Sequence, residues 1–154
     1  MSRPTALRVL ALVATLGAIE RGASKIQKRL GDLHDLDEAM IRTLVDTFYE
    51  GVRDDPMLGP IFARHVADWS LHLPKMYDFW STVVLRTGRY AGRPLDAHQR
   101  LPGLTAAHFA RWLDLWRHTV ARVVPEAARH SFVIPAERMA ANMRAALLRG
   151  GPAK

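Results

Sequence analysis

Apolar residues recur at steps of three and four positions in several separate stretches of the chain. The first stretch follows Asp35, which stands three residues before Glu38, the spacing of a helix N-terminal capping box. Residues three and four apart share one face of an α-helix, so this stretch predicts an amphipathic helix that begins near Asp35. Its apolar face consists of Ile41, Leu44, Val45, Phe48, Tyr49 and Val52.

The next periodic stretch predicts a helix from Asp68, a suitable N-cap, to about Leu85. Pro74 lies inside this stretch and lacks a backbone N–H, so we expect either a kink or a helix start delayed to near Leu73. One histidine, His72, falls on the apolar face of the helix. The other members of that face are Trp69, Met76, Phe79, Trp80 and Val83.

Two more helices are predicted in the C-terminal part of the chain. The first of these helices is capped by Thr105, carries Trp112 on its apolar face and ends at Pro125. The second helix is predicted to begin at Pro135, a residue that suits the first helical position, and to end at Gly150. No stretch alternates with the period of two that marks a strand, and no internal repeat is apparent. The expected fold class is therefore all-α.

Two segments rich in proline and glycine connect these helices. Residues 53–62 contain DDPMLGP, which predicts a turn or a short tight helix before Phe62. Residues 88–102 predict a loop with at most a turn or two of helix, and His98 lies in it. A loop histidine is most often a surface residue, and a histidine on an apolar face is most often bonded to a backbone carbonyl. The pattern alone leaves both His72 and His98 open as metal ligands.

Length and composition restrict the classes of protein and of chemistry. A chain of 154 residues, 49% of them apolar, is expected to form one domain with a sizeable core. The absence of cysteine excludes disulfides, thiol catalysis and thiolate-held iron–sulfur clusters. A net charge of +7 would suit an anionic partner such as nucleic acid. The arginines are scattered without a dense basic run, however, which favours a solvated surface.

The first 34 residues are interpreted as an N-terminal extension to a domain at residues 35–149, followed by a disordered tail at residues 150–154. The extension contains an apolar run from Val9 to Ile19 without charge, too short for a bilayer span of about 20 residues. An export signal, an additional amphipathic helix and a start codon placed too far upstream are the three interpretations. We favour the last two over export and expect a cytoplasmic protein.

Four motifs resemble those of the group III truncated haemoglobins in order and spacing: FYEGVRDDPMLGPIF, DWSLHLPKMYDFWSTVVL, YAGRPLDAHQRLPGL and HFARWLDLW. The resemblance implies a truncated globin fold, a 2-on-2 helical sandwich around haem b. It also implies that His98 binds the haem iron as the proximal ligand. The other residues that it places against the haem are Phe62, His72, Met76, Phe79, Trp80 and Trp112.

The resemblance further implies a ligand pocket formed by Tyr49, His72 and Trp112. Hydrogen bonds from Tyr49 and Trp112, at about 1.5–3 kcal/mol each, would slow oxygen release by roughly 10²-fold or more. We therefore expect a globin that binds oxygen, nitric oxide or carbon monoxide with slow release and that supports nitric oxide or peroxide redox chemistry. The chain has no flavin or nicotinamide motif, so turnover would need a separate electron donor or reductase.

Two alternatives follow from the residues. A basic helical domain without a cofactor could bind nucleic acid or act as a regulatory module, although no helix-turn-helix spacing and no single basic face supports this. A non-haem metal site could combine His65, His72 and either His98 or His108. No HxxxH or HExxH spacing places two of these ligands together on one helix, which makes the metal site the weaker alternative.

Overall fold

The computed structural model describes residues 19, 22–23, 26, 36–99 and 101–149. The chain forms two compact units, Met1–Asp35 and Leu36–Lys154. In the first unit the four described residues are helical. The rest of the predicted N-terminal extension, and the tail predicted at residues 150–154, lie outside the described residues. The elements of the second unit are α1 (Glu38–Asp54), α2 (Leu58–His65), α3 (Trp69–Leu85), α4 (Pro94–Gln99), α5 (Ala106–Val123), a 3-10 turn (Glu126–Ala128) and α6 (His130–Arg149).

The helices of the second unit form two packed pairs. α1 packs against α3, α5 packs against α6, and α1 also packs against α5, which joins the two pairs. Within residues 36–99 and 101–149 every regular element is helical and none is a strand. The predicted all-α, 2-on-2 fold is thus confirmed. In this part of the chain no helix is both long enough and apolar enough to span a lipid bilayer.

The first helix buries the six apolar residues that its sequence pattern predicts, at positions 41, 44, 45, 48, 49 and 52. Its N-cap is Asp37, whose carboxylate accepts a backbone N–H three residues further on at 2.8 Å. The capping box predicted between Asp35 and Glu38 is wrong. Glu38 instead accepts hydrogen bonds from the Ser81 hydroxyl at 2.7 Å and from the Arg89 guanidinium at 2.6 Å. These bonds tie the start of α1 to the end of α3.

Pro74 does not delay the start of α3. The helix begins at Trp69, after the predicted cap Asp68, whose carboxylate accepts the Ser70 N–H at 2.8 Å. The alternative start near Leu73 is therefore wrong. Pro74 lies inside the helix, where its missing N–H removes one backbone hydrogen bond but leaves the helical turn before it intact.

The last helix begins earlier than predicted, at His130 rather than at Pro135. The reason is tertiary packing. Phe132 is fully buried, with its ring 6.1 Å from that of Trp80, and its carbonyl accepts the indole N–H of Trp116 at 3.2 Å. These contacts hold the residues before Pro135 in the core as a further helical turn.

Four aromatic rings join three of the helices at the centre of the core. Trp116 stacks on Trp80, with centroids 4.2 Å apart and an angle of 14° between the planes. Phe48 stands edge-on to both Trp112 and Trp116, at 5.6 and 4.9 Å. Such stacked and edge-on arrangements are favourable beyond the apolar area that they bury. Trp80 and Trp112 of this cluster also line a cavity, so the stacked rings give that cavity a rigid wall.

Candidate functional site

A cavity of about 420 Å³ lies among the six helices, within the usual size range of small-molecule sites. Every helix from α1 to α6 contributes side chains to its wall, and most of them are apolar. Among the described residues no aspartate or glutamate lines the cavity. Its basic side chains are His65, His72, Lys75, His98 and His108.

All of the residues that the sequence singles out for cofactor or ligand contact line this one cavity. They come from five different helices, so the fold brings together motifs that are far apart in the chain. The set is Tyr49 from α1, Phe62 from α2, His72, Met76, Phe79 and Trp80 from α3, His98 from α4, and Trp112 from α5.

The imidazole of His98 is held by the backbone of its own short helix. Nδ1 of His98 lies 2.6 Å from the carbonyl oxygen of Pro94. A carbonyl oxygen can only accept, so Nδ1 carries the hydrogen and Nε2 of the neutral ring keeps a lone pair. The ring of Phe109 lies 6.3 Å away and helps to fix the orientation of the imidazole. Nε2 of His98 can thus act as a nitrogen ligand at the cavity wall.

The imidazole of His72 lacks the backbone partner that an ordinary core histidine would have. Its Nε2 atom is buried and has no hydrogen-bond partner in the described part of the chain. Burial lowers the pKa of His72, and the positive charges of Lys75 and His98 lower it further. The ring is therefore neutral near pH 7, with a polar atom available to a molecule in the cavity.

Tyr49 is only 6% exposed, and its ring lies among those of Phe48, Phe62, Trp69 and His72. Burial raises the pKa of the Tyr49 phenol well above its usual range, because the charged form would lose its hydration. The hydroxyl therefore stays protonated and can act as a donor. No residue that the structure describes accepts its hydrogen, so this donor too is available to a ligand.

The tryptophans of α5 differ in what their indole N–H groups contact. Trp116 donates to the carbonyl of Phe132 and lies in the core. Trp112 stacks parallel to Trp116 at 5.8 Å and lines the cavity. Its N–H finds no acceptor among the described residues. Trp112 therefore combines the rigidity of a stacked core ring with a free donor.

Two histidines of the cavity wall have no predicted contact with haem. The Nε2 atom of His65, at the end of α2, is buried and has no partner in the described residues. His108, at the start of α5, bonds to Thr105 through Nδ1. The sequence offers His65 only as a ligand of the non-haem metal alternative, because it ends a short helix that follows a turn-rich segment. His108 stands three residues after the cap Thr105, a spacing that could have revealed its local bond.

This wall fits haem, a flat apolar ring with a central iron and two carboxylates on one edge. The apolar side chains match the ring, Nε2 of His98 is a nitrogen that can bind iron, and a wall without carboxylates does not repel an anionic edge. The non-haem alternative lacks support, because the described residues include no cluster of three histidine, cysteine, aspartate or glutamate side chains that could hold a metal ion. The size and apolar character of the cavity also disfavour a domain without a cofactor.

Comparison with known proteins agrees with this fit. The family model for bacterial-like globins matches residues 35–145. The chain is 31% identical over 120 residues to the group 3 truncated hemoglobin ctb of Campylobacter jejuni, covering 75% of this chain and 94% of that protein. A crystal structure of group III truncated hemoglobin from Campylobacter jejuni matches with a TM-score of 0.70 and 31% identity, over 77% of this chain and 96% of that one. The chain therefore belongs to the bacterial-like globin family, as a haem-binding globin of the group III truncated haemoglobin type.

Proposed function

We propose that the protein holds haem b in this cavity, where Nε2 of His98 would bind the iron, and that it binds diatomic ligands with slow release. When bound, haem supplies an open coordination site for oxygen, nitric oxide or carbon monoxide. One observation carries the proposal. The bond between Nδ1 of His98 and the Pro94 carbonyl leaves the Nε2 lone pair to an apolar cavity, which is the arrangement expected of an iron-binding histidine.

Three polar side chains of the wall would act on the ligand. Tyr49 and Trp112 line the cavity and carry an O–H and an N–H that can donate, and His72 keeps a buried nitrogen without a partner in the described residues. Donors that are already oriented in a cavity without water stabilise negative charge on a ligand more strongly than the same groups do in solution. Bonds from Tyr49 and Trp112 would together slow oxygen release by roughly 10²-fold or more.

The apolar part of the wall supports the same function. Phe62, Met76, Phe79 and Trp80 line the cavity beside these polar groups. Trp80 is almost completely buried and stacked on Trp116, so it cannot easily move to admit water. Exclusion of water lowers the local dielectric and strengthens each hydrogen bond to a ligand.

Slow release favours chemistry on the ligand over its transport, because a carrier must give up oxygen readily. We propose that the protein supports redox chemistry of nitric oxide or peroxide. Continued turnover would then require electrons from a separate donor or reductase. The side chains that would act in this chemistry are the donors Tyr49 and Trp112, together with the neutral imidazole of His72.

The proposed cofactor and ligand can be tested with absorption spectra of the haem-loaded protein, recorded before and after reduction and addition of carbon monoxide. We expect a Soret band that shifts with carbon monoxide. His98→Ala should weaken or abolish it. His118→Ala is the matched control, because Nδ1 of His118 is also bonded to a backbone carbonyl one helical turn away, that of Asp114, but its side chain is 74% exposed and does not line the cavity.

Different results would contradict haem binding, the role of His98 and the redox function. A colourless protein that does not take up added hemin would contradict haem binding and bring the nucleic-acid-binding module forward. An unchanged spectrum in His98→Ala would contradict His98 as the residue that binds the iron. Redox function has its own test: the reduced, oxygenated protein must react with nitric oxide faster than free haem does.

A further inference from the structure

Hydrogen bonds at the start of α5 determine which ring nitrogen of His108 carries the hydrogen. It is the third residue of that helix and forms part of its capping box with Thr105. The backbone N–H of Thr105 donates to Nδ1 of His108 at 3.1 Å, and the Thr105 hydroxyl, which can donate to the same nitrogen, lies 2.7 Å from it. A backbone N–H can only donate, so Nδ1 must be unprotonated, and the neutral imidazole carries its hydrogen on Nε2. The backbone thus fixes the tautomer of this histidine.

His98 and His108 line the same cavity in opposite tautomers. His98 donates through Nδ1 to the Pro94 carbonyl and keeps a lone pair on Nε2. His108 accepts through Nδ1 and keeps an N–H on Nε2. A lone pair suits a metal ion, whereas an N–H suits an anionic oxygen. The two histidines together match a ligand that carries both a metal and a carboxylate.

The surroundings of His108 favour the binding of an anionic group that belongs to the ligand rather than to the protein. No aspartate or glutamate among the described residues lines the cavity, so the protein does not supply a carboxylate of its own. The N-terminus of α5 adds positive partial charge beside His108. Glutamate or glutamine usually occupies this position of a capping box. A histidine completes the same cap and keeps a second donor on its other ring nitrogen.

We propose that His108 anchors the haem by a hydrogen bond from Nε2–H to one of the haem carboxylates. This inference rests on the proposed haem binding and adds a residue outside the predicted contact set. Because the bond is made at the edge of the cofactor, it affects how firmly the haem is retained. It leaves the ligand pocket of Tyr49, His72 and Trp112 unchanged.

The test compares hemin with hemin dimethyl ester, in which both carboxylates are blocked. Release of each from the loaded full-length protein to excess apomyoglobin is followed by absorption. The variant is His108→Glu, which keeps the capping-box acceptor for the Thr105 N–H but replaces the cavity donor with a negative charge. His118→Glu is the control, since it makes the same charge change on the exposed side of α5. Helix content and the melting temperature show that each variant is folded.

We expect His108→Glu to release hemin about 10-fold faster than the wild type, with hemin dimethyl ester released at nearly equal rates from both proteins. His118→Glu should match the wild type with either compound. Equal acceleration for hemin and its ester would contradict the carboxylate bond, and so would an unchanged rate for hemin. Failure of the wild type itself to bind hemin would contradict the proposed haem binding, which is a separate result visible in the first spectrum.

Discussion

The phenol ring of Tyr49 stands edge-on to the imidazole of His72, with centroids 5.5 Å apart and an angle of 88° between the planes. Trp69 contacts both rings, at 5.5 and 5.6 Å. The two polar residues are therefore oriented by aromatic packing rather than by hydrogen bonds to the protein. Their polar atoms remain available for a ligand, and the predictions for Tyr49 and His72 follow from that arrangement.

Tyr49→Phe should speed oxygen release by about 10-fold or more, because the variant loses one hydrogen bond to a charged or polarised ligand but keeps the aromatic packing. Release is measured by displacing oxygen with carbon monoxide in a stopped-flow instrument. Tyr77→Phe is the control, since the Tyr77 hydroxyl donates to Asp46 and does not line the cavity. Equal release rates in Tyr49→Phe and the wild type would rule out this donor.

Trp112→Phe should also speed oxygen release, by a factor similar to that of Tyr49→Phe, with only a small loss of stability. Trp116→Phe should instead reduce stability and leave oxygen release nearly unchanged. It removes the buried bond to the Phe132 carbonyl and should lower the free energy of unfolding by about 1–3 kcal/mol, while oxygen release changes little. Release kinetics and thermal melting of both variants check the contrast. If the two variants change both quantities alike, Trp112 has no separate role as a ligand donor.

The helical period of the sequence predicted most of the helices, and the family resemblance implied their 2-on-2 arrangement. The apolar faces of α1, α3 and α5 each contain residues that line the cavity, so Tyr49, His72 and Trp112 could be named from spacing together with family resemblance. This works because a helix that turns its apolar face to the core also turns the polar residues on that face inward.

The features of the fold that the sequence did not predict depend on contacts between residues far apart in the chain. The early start of α6 depends on Phe132, which is held by Trp80 and Trp116 from distant parts of the chain. The burial of Asp55 likewise depends on Arg111, which lies 56 residues away. Such features follow from tertiary packing, and spacing within one helix gives no sign of them.

The rate of carbon monoxide association should rise as the pH falls from 7 towards 5. Burial, Lys75 and His98 lower the pKa of His72, so its ring is neutral at pH 7 and gains a proton only below the ordinary histidine pKa of about 6.5. A charged imidazolium is unfavourable in this apolar wall and should turn towards solvent, which opens the cavity. The association rate is measured by flash photolysis. His72→Leu should abolish the pH dependence, and a variant that retains it would show that His72 does not control entry to the cavity.

The turn between α1 and α2 should make the protein sensitive to acid through Asp55. Burial raises the pKa of Asp55, but hydrogen bonds from the Leu58 N–H, the Arg111 guanidinium and the Met57 N–H outweigh burial, so the net pKa lies below its ordinary value. A carboxyl whose pKa is lower in the folded state stabilises the fold above the unfolded pKa of about 3.9. That contribution is lost as the pH falls through the folded pKa.

Asp55→Asn should therefore destabilise the haem-loaded protein by about 1–3 kcal/mol at pH 7, because it breaks the ion pair to Arg111, whose nitrogen lies 2.8 Å from the carboxylate. Below about pH 4 the variant and the wild type should converge, since the wild-type carboxyl is then increasingly protonated. Melting temperatures between pH 7 and 3 give the comparison, with the exposed neighbour Asp54→Asn as control. A difference that stays constant over this pH range would show that packing, rather than the charge of Asp55, stabilises the turn.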